Sequence, residues 1–116
     1  TAQDIVARMA LVPRTLEARG LDATPLIQNK LRNTKAPDAL AAVNILDIIL
    51  REEVGHVAIG NHWYRWLCEK HGMEPESLYL ELTTRYEAPR LRPPFNERAR
   101  RAAGFTETEI SWLQQL

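Results

Sequence analysis

One cysteine, Cys68, is all the thiol chemistry in this chain. A lone thiol excludes an internal disulfide framework and any Cys-x-x-Cys pair. It fits a reducing compartment, so the expectation is a cytoplasmic protein. Net charge is missing too: 15 Lys and Arg balance 15 Asp and Glu, which leaves no global field to attract nucleic acid or acidic lipid. No apolar run approaches the roughly 18 residues of a membrane span, and no signal peptide is visible. The chain has no glycine-rich phosphate loop and no Ser-His-Asp ordering. Internal repeats, low-complexity tracts and alternating strand patterns are also lacking. What remains, 116 residues of ordinary apolar content, suits one helical domain with a modest core. The chain starts at Thr1 rather than methionine, which suggests a processed product or a fragment.

Helical periodicity fills most of the length. Ile5, Met9, Val12 and Leu16 repeat at helical spacing up to Gly20, a suitable residue just past a helix end. Pro13 should kink this helix or free a carbonyl. Thr24 and Pro25 read as an N-cap and first position for a short connecting helix near 25 to 34. The dominant element then runs from Asp38 to about His71, opened by Pro37 and stopped by Gly72, a rod of roughly 50 Å. A further helix opens at Pro75 and closes before Pro89. Asn96 caps a short helix over "ERARRAA", and "TETE", residues 106–109, is a capping box for the last one. Such a long rod belongs in a bundle, where neighbours cover its length.

In steps of four and three, the long helix presents Ala42, Leu46, Ile49, Glu53, His56, Gly60, Trp63 and Leu67 on one stripe. The opposite face carries Asp47, Arg51, Arg65 and Glu69, placed as i,i+4 ion pairs. Glu53 and His56 are therefore expected in the buried seam, one turn apart and facing the same way. An ionised carboxylate buried without a partner costs several kcal/mol. A divalent metal compensates directly, because carboxylate oxygen and imidazole nitrogen both ligate and Glu-x-x-His stacks them on one face. A core Glu–His hydrogen bond, or an arginine from another helix, would satisfy the same groups. Glu52, four residues before His56, is an alternative chelator. A second carboxylate is needed, and Glu17 is the candidate: in the last turn of the first helix it meets the negative end of the helix dipole, a mild misfit of the kind functional sites tolerate.

Three long segments, "ARMALVPRTLEARGLDATP", "REEVGHVAIGNHWYRWLC" and "RPPFNERARRAAGF", resemble an uncharacterised ferritin-like family, the domain of unknown function four-five-five. The resemblance implies an all-α, partial ferritin-like bundle and a non-haem di-metal carboxylate protein holding two iron or manganese ions, an oxidoreductase or hydroxylase of unknown substrate. Carried onto this chain, the ferritin-like pattern makes Glu17, Glu53 and His56 its share of the metal ligands. The pattern needs a second Glu and a second Glu-x-x-His, so the chain resembles the C-terminal half of the family's domain. Either a preceding segment or a second copy in a homodimer would complete the bundle.

Two other readings compete. The long amphipathic helix alone suits a metal-free helical interaction module. The stretch with Arg85, Arg90, Arg92, Arg98, Arg100 and Arg101 against Glu87 and Glu97 suits RNA, unless those arginines pair with acidic neighbours. His62 and His71 read as surface residues, and Cys68 as a small buried one. The tryptophans Trp63, Trp66 and Trp112 read as core or interface.

Overall fold

Pro13 has no N–H to donate, and its ring crowds the carbonyl four residues back. In the computed structural model, which describes residues 2–86 and 93–113, the chain answers by widening into a π-helical turn. Helix α1 spans Ala2–Leu11, the π turn spans Val12–Glu17, and α2 follows from Arg19 to Thr34. The expected stop at Gly20 and restart at Thr24 do not occur. Thr24 Oγ1 donates to the Gly20 carbonyl at 2.8 Å, and Pro25 sits inside α2. The reason is tertiary: Ala18, Leu21 and Gln28 are buried, which holds the segment helical against its local signals. Helix α2 ends at Lys35, whose φ of 56° is left-handed.

The remaining elements follow their local signals closely. Helix α3 is the 34-residue rod Pro37–Lys70, and it ends at His71 and Gly72, the latter at φ +68°. Helix α4 is Pro75–Arg85, where the Glu74 carboxylate accepts from Ser77 N at 2.6 Å. Helix α5 is Glu97–Ala102, capped by Asn96 Oδ1 on Ala99 N at 3.1 Å. Helix α6 is Glu107–Leu113. Its capping box is reciprocal: Thr106 N donates to Glu109, and Glu109 N to Thr106 Oγ1, both at 3.1 Å. No strand occurs among the described residues, so the fold is all-α. No helix among them is long and apolar enough to cross a membrane.

α1, the π turn and α2 run antiparallel along α3. Two contacts fix the register. A Cβ on Gly60 would lie 2.3 Å from Pro13 Cβ, so only glycine admits the proline there; further along, Gly20 faces the Glu53 side chain. The two contacts are equally spaced on both helices, so Glu17 comes level with His56. One core cluster joins Ala18, Leu21 and Val57 to Ala99, Ala103, Phe105 and Ile110. A second joins Val6, Ala7 and Ala10 to Tyr64, Cys68 and Leu82.

On α3 the covered face is not the anticipated stripe. Val43, Val57, Asn61, Tyr64 and Cys68 are buried, with Leu50 and Val54 packed beside them. Ile45, Ile48, Ile49, Ile59, Trp63 and Trp66 are 45–59% exposed. At about 100° per residue, these form a separate apolar arc about 100° wide. The helix therefore has two apolar faces, and the first helices cover one of them. The molecule measures 52 × 25 × 22 Å with a radius of gyration of 15.7 Å, against about 13 Å for a compact chain of this length.

Candidate functional site

Glu53 lies where the two faces of α3 meet, and His56 on the open arc beside it. His56 Nδ1 is 3.8 Å from a Glu53 carboxylate oxygen, and their side chains are 65% and 27% exposed, respectively. The buried seam expected for them runs one position away, because α1 and α2 pack on the Val57 and Tyr64 side. Within this chain, then, neither group is a desolvated charge in need of compensation. Glu52 is exposed on the open arc. Glu17 is exposed too, and it sits in mid-rod rather than at a helix end, since the helix continues to Thr34. The dipole misfit expected of it does not arise. Among the described residues no group of three or more His, Cys, Asp or Glu side chains is gathered to hold a metal ion. The structure brings Glu53 and His56 together and sets Glu17 on the neighbouring helix at the same height.

Most of the polar chemistry lies elsewhere, in a buried network that sequence reading missed. Arg14, fully buried, donates to Asn61 Oδ1 and pairs with Glu109. Its guanidinium carbon stands 4.5 Å from the ring centres of Tyr64 and Tyr79 and 5.1 Å from that of Phe105. The remaining Nη1 is buried without a hydrogen-bond partner among the described residues, and the three rings around the guanidinium offer it cation–π contact instead. Asn61 also donates to the Ala103 carbonyl at 2.7 Å. The Tyr79 hydroxyl shares a 2.6 Å hydrogen bond with Thr15 and donates to the Arg14 carbonyl. Burial pushes the Tyr64 and Tyr79 phenols and the Cys68 thiol above their ordinary ranges. This network ties the π turn to α3, α4 and α6, and so fixes the segment that carries Glu17.

The expected pairs on the outer face of α3 are replaced by contacts to other elements. Asp47 accepts from Gln28 at 2.6 Å, and Arg65 reaches the Gly104 carbonyl and Glu109. Of the arginine-rich stretch, Arg85 pairs with Glu81, buried Arg100 with Asp22, and Arg101 with Glu97 and Glu107. Arg90 and Arg92 lie outside the described residues.

A family model described as "Protein of unknown function (DUF455)" matches residues 1–111. The chain belongs to the DUF455 family. A Haemophilus influenzae relative bearing the description "Uncharacterized protein" is 52% identical over 116 residues, which is all of this chain and 39% of the relative. This DUF455 chain thus spans about two fifths of the length of that relative. No solved structure matches it.

Proposed function

We propose that this chain supplies one half of a ferritin-like, non-haem di-metal carboxylate protein, an oxidoreductase using iron or manganese, with Glu17, Glu53 and His56 as its ligands. The observation that carries the reading is the Glu53–His56 pair, 3.8 Å apart and beside an apolar face that the chain leaves open. The donor set fits the group: carboxylate oxygens with one imidazole suit iron or manganese better than a thiolate-seeking metal, and zinc shares the set. When bound, such a centre supplies redox activation of dioxygen or peroxide. The chain's own part is to hold the ligands in place. Glu53 and His56 are fixed by their spacing on a rigid rod, and Glu17 by the buried anchorage of Arg14 in its turn. The remaining carboxylates come from outside this chain.

Metal analysis of the assembled protein, purified without chelator, tests this reading. About two ions per complete bundle are expected, lost in both Glu53→Ala and His56→Ala. Full metal content in either variant would remove those residues from the ligand set.

A second reading, a metal-free helical interaction module, is favoured by the apolar arc itself, which can be covered without any ion. A complex that forms in full and carries no metal would select it.

A further inference from the structure

We propose that the open apolar arc of α3 is the seat of a helical segment from a longer polypeptide. That segment belongs to the part represented by the three fifths of the Haemophilus influenzae relative lying outside the match. The inference rests on the di-metal reading only for what this segment brings opposite Glu53 and His56; the docking itself needs no metal.

The arc is built for a helix. Ile45, Ile49, Glu52, His56, Ile59, Trp63 and Trp66 follow one another in strict steps of four and three. That is the period at which two helices stay in contact at a shallow crossing angle. From Ile45 to Trp66 the seam runs about 32 Å at 1.5 Å per residue. Ile49, Ile59 and Trp63 are 48%, 59% and 46% exposed, although the chain has two complete core clusters elsewhere. These residues are therefore surplus to the chain's own core. Six exposed isoleucines and tryptophans share this face, interrupted at mid-length by Glu52 and His56, which is the pattern of an interaction surface rather than of singly scattered apolar residues. The long dimension of 52 Å follows from α3 itself, a rod of about 51 Å at 1.5 Å per residue.

Two observations favour the missing segment over a second copy. The part of the relative outside the match is longer than this whole chain, ample for two helices of the length of α3. A copy laid antiparallel about the midpoint of the seam, near His56, would also bring Glu52 and Glu53 against their own mates. Like charges so placed oppose association unless an ion intervenes. A segment of different sequence can offer apolar residues to the isoleucines and a cationic group to the carboxylates.

The test joins this chain, tagged, with the remaining part of the Haemophilus influenzae relative as two co-expressed polypeptides, with mass measured by light scattering. A one-to-one complex is expected. Ile49→Lys and Ile59→Lys should each weaken it by about tenfold or more, while Asn44→Lys on the polar face leaves it unchanged. Both lysine variants should unfold at the temperature of the parent chain when alone, which separates docking from folding. A complex indifferent to both substitutions would overturn the proposal. So would a homodimer of this chain lost in the same variants, or a chain that stays monomeric and captures nothing. The complex surviving in Glu53→Ala and His56→Ala without metal in the unsubstituted form would defeat the di-metal reading alone.

Discussion

Arg14 of the π turn reaches Glu109 of the last helix through the interior of the molecule, and both side chains are almost wholly shielded from water. The pair joins residues far apart in the chain, so it closes the fold as well as neutralising two charges. Removing one partner strands the other: Glu109→Ala should cost about 3–5 kcal/mol, the range for a buried pair broken from one side. Replacing both, as in Arg14→Met with Glu109→Leu, should cost much less than the sum of the single losses. Urea unfolding of the four proteins in the cycle checks this, and additive losses would show that the two groups are not coupled.

Two helical glycines in α3 should respond with opposite signs. Gly60 touches Pro13 so closely that a methyl group must push the helices apart, and Gly60→Ala should destabilise by about 1–3 kcal/mol or more. Gly55 has open space where a Cβ would stand. Gly55→Ala should stabilise by roughly 0.5–1 kcal/mol, through helix propensity. Equilibrium unfolding in urea reads both.

Stability should fall on the alkaline side. Burial raises the Cys68 thiol and the Tyr64 and Tyr79 phenols above their ordinary values, so the unfolded chain loses these protons first. Above about pH 9 the unfolded state binds fewer protons than the folded one, and the slope of stability against pH is negative. Below that range these groups are protonated in both states and add no pH dependence. A series of urea midpoints from pH 7 to pH 11 should show the decline, and Cys68→Ala should lessen its first part. A flat profile would mean that these groups ionise equally in both states.

Helix ends were legible from sequence because they are local. Gly72, the Thr106–Glu109 box and the Asn96 cap each act over a few residues, and each appears where expected. Thr24 and Pro25 misled for the same reason: their capping signal is real, yet burial of Leu21 and Gln28 outweighs it. The phase of α3 was ambiguous for a different cause. A rod with two apolar arcs gives a periodic signal on both, and only the position of α1 and α2 decides which is covered. Glu53 at the boundary and His56 on the open arc share the period of the buried residues, so the pattern alone reads them as interior. Arg14 carried no local sign of burial, since Tyr64, Tyr79, Phe105 and Glu109 are remote in sequence.

The widened turn at Val12–Glu17 also constrains how the gene can vary. It sets the angular offset between everything before Pro13 and everything after it. Deleting one residue there would rotate the downstream helix by about 100°, turning Ala18 and Leu21 away from Val57. Insertions and deletions among relatives should therefore avoid this segment and accumulate in connections where no helix must stay in phase with another.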